Sequence, residues 1–347
     1  MYQRMKDTTV KIWIWLVPFI AIGCGDSRET RLQRFLIQSN SLIEHHEIAQ
    51  AEHFLREAIK LDSCFEDAWN NLGTLYFSQK KYTEALEYYH NAIECNPNYL
   101  PAYFNRANTQ YELKAYYAAL EDLDKILQTR PDTSVAFFSR GLIYSKLREF
   151  DKSLHEFRKG LALDKYNVEI MVNIGTVYYY MKQYDSARLI LEDVIKGNFD
   201  EPNVFNALAM IEIETKNYDK ATSWLSKALN AKPDDPYFLN NRGFISLMKG
   251  EIEKAREDID LSISLDPYNA WAYRNKGLYY LMKGNATEAI RLLKQAEDMD
   301  PFVENLYLYL GKAYLVSGDK GKACAGFTKS FERVELTKAE LIKYCPQ

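Results

Sequence analysis

The stretch Glu66–Tyr99, EDAWNNLGTLYFSQKKYTEALEYYHNAIECNPNY, is one copy of a 34-residue pattern that recurs along the chain. Windows that begin at residues 32, 66, 100, 134, 168, 202, 236, 270 and 304 align without an insertion. Positions 8 and 20 are small in every window, reading Ser39, Gly73, Ala107, Gly141, Gly175, Ala209, Gly243, Gly277, Gly311 and Ala51, Ala85, Ala119, Ser153, Ala187, Ala221, Ala255, Ala289, Ala323. A fixed period of this length predicts a repeat architecture.

Each window contains the residues that a pair of packed antiparallel helices requires. A small residue on each helix lets the backbones approach where the helices cross, whereas a large residue would force them apart. Larger apolar residues at position 24, such as Tyr89, Leu123 and Phe157, fill the space beside that crossing. Prolines at position 32, such as Pro97 and Pro131, end the second helix. The pattern therefore predicts an all-α protein built from about nine helix-turn-helix repeats.

The repeat resembles the tetratricopeptide repeat (TPR) family, whose pattern combines an aromatic residue near position 4 with Leu-Gly, Tyr, Ala and Pro at fixed later positions. The second window matches this pattern at Trp69, Leu72, Gly73, Tyr76, Ala85, Tyr89, Ala92 and Pro97. The resemblance covers residues 32–337 and implies a right-handed superhelical solenoid with a concave groove. Residues 338–347 then form a C-terminal capping segment.

The resemblance also implies that positions 2, 5, 6, 9, 12 and 13 of the first helices face the groove. Position 6 is most often asparagine in repeats two to eight, at Asn71, Asn105, Asn173, Asn241 and Asn275. Each amide offers a donor and an acceptor, so this ladder suits the main chain of an extended or disordered segment of another protein. Asparagine is also common at this position in the family whatever its members bind, and that alternative stays open.

Apolar residues at positions 9, 12 and 13 become frequent in repeats seven and eight. They are Phe244, Leu247, Met248, Leu278, Leu281 and Met282. We expect them to form an apolar floor of the groove, where the polarizable methionines suit an adaptable interface. Packing in the core is the alternative explanation for some of the six.

The first 23 residues differ from the rest of the chain. A basic segment precedes an apolar run of 11 residues, IWIWLVPFIAI, which is too short for a membrane span of about 20 residues and matches a secretory signal. The small residues before Cys24 resemble the lipobox of bacterial lipoproteins, although Ala21 stands where that motif prefers Leu. An ordinary secretory signal cleaved near Gly23 or Gly25, or an uncleaved anchor, remains an alternative.

The lipobox resemblance implies a signal peptide at residues 1–23, an acylated Cys24 and a tether at residues 24–31. The protein would then be exported and anchored by lipid in the bacterial cell envelope, with the periplasmic side of the outer membrane as the expected place.

Charge and the remaining length exclude several classes of function. The formal net charge of −4, from 44 basic and 48 acidic residues, provides no electropositive face for nucleic acid.

Only 18 residues lie outside the signal and the repeats, which is too few for a catalytic domain. The chain has no glycine-rich phosphate loop, nucleophile elbow or paired-cysteine zinc spacing. The histidines His45, His46 and His53 include no i, i+4 pair. We therefore predict no catalytic residue, metal or cofactor.

Four cysteines remain once Cys24 is assigned to lipid. They are Cys64, Cys95, Cys324 and Cys345. Cys324 and Cys345 are 21 positions apart, and a bridge between them would staple the capping segment to the last repeat in an oxidising compartment. Two free thiols are the alternative.

Together these features predict a lipid-anchored scaffold that binds a protein or peptide partner in its concave groove and helps to assemble or recruit an envelope complex. A purely structural spacer without a selective groove is the main alternative. An enzyme built on the repeats is the least favoured class.

Overall fold

The computed structural model describes residues 27–197 and 201–345, where every regular element is an α-helix. The chain divides into two compact units, Met1–Thr129 and Arg130–Gln347. The first unit contains α1 (Arg28–Glu44), α2 (Ile48–Leu61), α3 (Glu66–Ser78), α4 (Tyr82–Cys95), α5 (Leu100–Glu112) and α6 (Tyr116–Thr129). The second unit contains α7 (Ser134–Lys146), α8 (Phe150–Leu163), α9 (Val168–Tyr180), α10 (Tyr184–Lys196), α11 (Pro202–Glu214), α12 (Tyr218–Ala231), α13 (Pro236–Lys249), α14 (Ile252–Leu265), α15 (Ala270–Met282), α16 (Ala286–Met299), α17 (Leu306–Val316), α18 (Lys320–Glu332) and α19 (Lys338–Tyr344). The predicted class, an all-α array of helix pairs, is confirmed.

The starts of the first helices recur every 34 residues through most of the array. In repeats two to eight these helices begin at residues 66, 100, 134, 168, 202, 236 and 270. Helix α1 begins at Arg28, so part of the predicted tether is helical, because the Ser27 side chain accepts a hydrogen bond from the Thr30 amide and caps the helix. Helix α17 begins at Leu306, two residues into the ninth window, after Asn305 in the left-handed region at φ 57°. The predicted signal peptide and Cys24 lie outside the described residues.

The two helices of a repeat cross without room for a further side chain. A Cβ atom added to Gly141 would lie 2.4 Å from the ring of Phe157, which is fully buried. A Cβ atom on Gly243 would lie 2.7 Å from Ile259. Position 8 must therefore be small because the large residue at position 24 of the second helix occupies the space above it.

Buried ion pairs also join the two helices in three repeats, a feature that the sequence reasoning missed. They link positions 7 and 23, as Arg106 with Asp122, Arg140 with Glu156, and Arg242 with Asp258. In the first of these pairs the guanidinium donates to both carboxylate oxygens of Asp122, at 2.8 and 2.6 Å. The Asp122 side chain is only 6% exposed, so the bidentate geometry compensates a carboxylate that is nearly desolvated.

Candidate functional site

The first helices of repeats four to eight line a groove of about 590 Å³ in the second unit. Its side chains come from α7, α9, α11, α13 and α15, and from the residues that flank these helices. Most of them occupy positions 2, 5, 6 and 9, which the family resemblance assigned to the inner face. The groove is therefore the strongest candidate for a binding site in the second unit.

Three aromatic rings in the groove are held in fixed orientations. The Trp271 indole N–H donates to the Glu304 carboxylate at 3.0 Å, and the Tyr237 hydroxyl donates to Asp266 at 3.1 Å. The Tyr180 ring stacks on Phe150, with the centroids 6.1 Å apart and the planes within 6°. Burial, together with the charge of Asp266, raises the pKa of Tyr237 to about 12, so its hydroxyl keeps its proton and continues to donate. Side chains that are already held in place lose little conformational freedom when a ligand binds.

Charged side chains lie around these rings. Glu201 and Asp235 are half-buried, whereas Glu169, Lys146 and Lys232 are exposed on the rim. The Asp235 carboxylate caps α13 by accepting hydrogen bonds from two backbone amides. The deeper part of the groove is therefore acidic, and the two lysines stand nearer to solvent.

Two residues of the predicted asparagine ladder line the groove, namely Asn173 and Asn241. The Asn241 side chain donates to Asn206 Oδ1 at 2.8 Å, which joins the first helices of two successive repeats. The Asn173 side chain donates to the carbonyl of Glu169 at 2.8 Å, one helical turn earlier. Part of the hydrogen-bonding capacity of the ladder is therefore used within the protein.

The first unit repeats this arrangement. The Asn105 side chain donates to Asn70 Oδ1 at 2.9 Å, and the Asn71 side chain donates to Asn40 Oδ1 at 3.2 Å. Asparagine at position 6 thus bridges neighbouring repeats here too, which gives it a structural role beside any role in binding.

The prediction that Asn275 offers its amide to a ligand is wrong. This residue is fully buried, and its Nδ2 donates to Asn240 Oδ1 at 2.7 Å and also to the Asn240 carbonyl. The preceding repeat therefore supplies partners for the buried Nδ2, whereas the buried Oδ1 accepts no hydrogen bond within the described residues.

The predicted apolar floor of repeats seven and eight is also wrong as an exposed surface. Leu247 and Leu278 are 1% and 6% exposed, and they belong to a core cluster that includes residues of α17. Phe244, Met248 and Leu281 pack against the same cluster. Of the six residues only Met282 is largely exposed, at 46%. The next repeat covers these positions because its own apolar residues need the same contacts.

Several groove residues were missed by the sequence reasoning. They are Asn206, Met210, Tyr180, Tyr237 and Trp271. The signal that could have found them was present, because they occupy positions 5, 9, 13, 2 and 2 of repeats five to eight. These positions belong to the same inner face as the asparagines at position 6.

The cysteines are paired within the described residues. Cys324 and Cys345 form a disulfide with their Cα atoms 5.5 Å apart, and it fastens α19 to the last repeat. Cys64 and Cys95 form a second disulfide, with Cα atoms 5.1 Å apart, which was not predicted. The sequence signal was their separation of 31, close to one repeat, which brings the loop after α2 beside the end of α4.

Residues 27–197 and 201–345 contain neither a metal-binding cluster nor a membrane-spanning helix. No group of histidine, cysteine and carboxylate side chains is arranged to hold a metal ion. None of the helices in these ranges has the length and apolar character that a membrane crossing requires.

Comparisons with protein families match the repeats directly. Models described as tetratricopeptide repeat match residues 66–99, residues 135–167, and residues 172–236 and 274–325. No curated protein matches the chain in sequence.

Solved structures share the fold at low sequence identity. The structure of PilF from Pseudomonas aeruginosa is 19% identical with a TM-score of 0.52, over 61% of this chain and 96% of that one. The APC/C hetero-tetramer Cut9-Hcn1 is 16% identical with a TM-score of 0.61, over 92% of this chain and 64% of that one. The human IFIT1 dimer with m7Gppp-AAAA is 16% identical with a TM-score of 0.60, over 90% and 80%. At these identities the likeness concerns the fold alone.

Proposed function

The chain belongs to the tetratricopeptide repeat family, whose members serve as protein-interaction scaffolds, and we propose that it binds an extended segment of another polypeptide in the groove of its second unit. The observation that carries this proposal is the groove itself, in which anchored aromatic rings stand beside asparagine side chains. Aromatic rings supply most of the affinity at such interfaces, and amides fix the register of a main chain. The proposed role is that of a scaffold without catalysis.

A polypeptide fits the groove better than RNA does, although the IFIT1 neighbour is a complex with m7Gppp-AAAA. The half-buried charges in the groove are the carboxylates of Glu201 and Asp235, and the whole chain carries a net charge of −4. Affinity for a phosphate backbone depends on neutralising its charges with lysine and arginine, and this groove opposes it.

Crosslinking from inside the groove tests the proposal. A photo-crosslinking residue at Asn203, which lines the groove, should capture a protein partner in intact cells. The same residue at Tyr268, which is 84% exposed and lies outside the groove, is the matched control and should not capture it. Trp271→Ala should reduce capture from Asn203 at least tenfold, since loss of a central aromatic residue costs about 2 kcal/mol or more.

Three results would contradict this role. If both crosslinking positions give the same adducts, or if Trp271→Ala captures as much as wild type, the groove is not the binding site. Either result would support the alternative that the protein is a structural spacer without a selective groove. If nuclease removes the adducts and protease does not, the partner is a nucleic acid and not a polypeptide.

We propose further that the protein acts at the bacterial cell envelope, held there by lipid on Cys24. The basic segment, the apolar run and the small residues before Cys24 support this location. The two disulfides support it as well, because disulfides persist in exported proteins and are rare in the cytosol. Stable anchoring needs two or more acyl chains, since a single chain binds a membrane only marginally.

Protein purified from envelopes without reductant is expected to carry both bridges and a lipid. Mass mapping of non-reduced peptides should find Cys64 joined to Cys95 and Cys324 joined to Cys345. A fatty-acid analogue should label wild type and the control Cys64→Ala, but not Cys24→Ala. Alkylation of all four thiols without reductant would contradict the oxidised state, and equal labelling of Cys24→Ala would contradict the anchor.

A further inference from the structure

The proposed groove has an uneven distribution of charge that bears on what it binds. Its half-buried charges, Glu201 and Asp235, are both negative, whereas its exposed charges are of both signs, with Glu169 against two lysines. Lys146 and Lys232 are exposed, so water screens their charge more strongly. The charges that water screens least, and that a ligand meets between the walls of the groove, are therefore negative.

Two more carboxylates accept hydrogen bonds from the polar edges of two of the aromatic rings. Glu304 accepts the indole N–H of Trp271 at 3.0 Å, and Asp266 accepts the hydroxyl of Tyr237 at 3.1 Å. Both hydrogen bonds lie at the edges of the rings, so the faces stay open to the groove. A negative charge behind a ring adds to the negative potential of its π face and strengthens the attraction for a cation.

The ring of Tyr180 completes this end of the groove. Burial comes first in raising the pKa of its hydroxyl, followed by the charge of Glu304, whereas the positive charge of Arg148 acts in the opposite direction. All three rings line the same cavity, and one face of Tyr180 stacks on Phe150.

The main chain of a ligand has a separate place to bind. Within the described residues, Asn206 Nδ2 has only a weak contact, with the Met210 sulfur at 3.7 Å. Its amide hydrogens therefore remain available to a carbonyl of an extended segment, while its Oδ1 already accepts from Asn241. The groove can thus bind a cationic side chain and the main chain of the same segment at the same time.

We propose that the groove selects segments that carry a lysine or arginine side chain, with the cationic head over the faces of Trp271, Tyr237 and Tyr180. This inference rests on the function proposed above and adds the class of segment. An acidic side chain at the same place would face the carboxylates of Glu201, Asp235 and Glu304. A neutral aliphatic chain would contact the rings but would lack the attraction of charge.

Defined peptides on the full chain test the preference. The probes are four unstructured peptides in a common polar background, each with two central residues that are arginine, lysine, norleucine or glutamate. Fluorescence anisotropy should show the norleucine peptide binding at least tenfold more weakly than the arginine and lysine peptides. The glutamate peptide should bind weakest. Affinity for the arginine peptide should fall with added salt.

Variants of the groove separate charge from shape. Asp235→Asn removes the charge but keeps the helix cap, since asparagine is as good an N-cap residue as aspartate. It should reduce the preference for the arginine peptide over the norleucine peptide about threefold. Trp271→Ala should lower affinity for the arginine peptide at least tenfold. Trp271→Phe retains an aromatic ring, so it should lower this affinity by a smaller factor. Tyr268→Ala lies outside the groove and is the matched control, with no change expected.

The outcomes distinguish this inference from the function on which it rests. If all four peptides bind equally and Trp271→Ala weakens each of them, the groove binds polypeptides but does not select a cation. Strongest binding of the glutamate peptide would reverse the sign of the preference and overturn the inference. Absence of binding by every peptide at 1 mM, about 4 kcal/mol of affinity, also overturns it. Crosslinking from Asn203 then decides whether the groove function itself survives.

Discussion

Replacing Asp122 with alanine is expected to lower the free energy of unfolding by about 3–5 kcal/mol, as for other buried pairs that lose one partner. The Arg106 guanidinium donates two hydrogen bonds to this carboxylate, and the Asp122 side chain is 6% exposed. Removing the carboxylate leaves a partly desolvated guanidinium without its acceptor. Urea unfolding followed by circular dichroism measures the loss.

Glu121→Ala is the matched control, since Glu121 is the exposed neighbour of Asp122 on the same helix. It should change stability by no more than about 0.5 kcal/mol. The double variant Arg106→Met/Asp122→Leu should recover most of the loss, because apolar residues of similar volume replace buried pairs well. Equal stability of Asp122→Ala and Glu121→Ala would show that the ion pair adds nothing to the fold.

Phe157→Ala is expected to destabilise the second unit by about 3–5 kcal/mol. The Phe157 ring fills the space above Gly141, so truncation leaves a cavity at the point where the two helices of repeat four cross. The glycine has no side chain with which to fill that space. Thermal unfolding should therefore show a lower and less cooperative transition, since damage in a repeat array stays near its origin.

Two other variants define this effect. Phe331→Ala removes the same atoms from a ring that is 37% exposed, and should cost much less than Phe157→Ala. Phe157→Leu should cost less than Phe157→Ala, because leucine fills position 24 at the crossings of repeats three and five, as Leu123 and Leu191. If Phe157→Ala melts like Phe331→Ala, the crossing does not depend on this ring.

The contacts within a repeat were predictable from the sequence. The residues that touch at a crossing, such as Gly243 and Ile259, are always 16 positions apart, so their pairing is visible as soon as the windows are aligned. The helix starts followed from the same alignment. Conversely, the ion pair of Arg106 with Asp122 was missed although it has the same separation, because it occurs in only some of the windows.

The contacts between repeats were harder to predict. Asn275 and Leu278 occupy inner-face positions, yet side chains of neighbouring repeats bury both of them. Whether such a residue meets a ligand or the next helix depends on the size of side chains about 34 positions away, and the period alone does not contain that information. Trp271 and Tyr237 could have been found from their inner-face positions, but the hydrogen bonds to Glu304 and Asp266 that hold them could not be read from the sequence.

The positions of the two disulfides bear on where the protein resists proteolysis. A terminal repeat stacks against a single neighbour, so the ends of such an array fray more readily than its middle and exchange their amide hydrogens sooner. One bridge fastens repeat one to repeat two, and the other holds α19 against repeat nine. Bridges over loops of this length stabilise by roughly 3 kcal/mol each, which opposes local opening of α19 and of the loop after α2. Reduction would therefore expose the two ends to proteases while the central repeats stay folded.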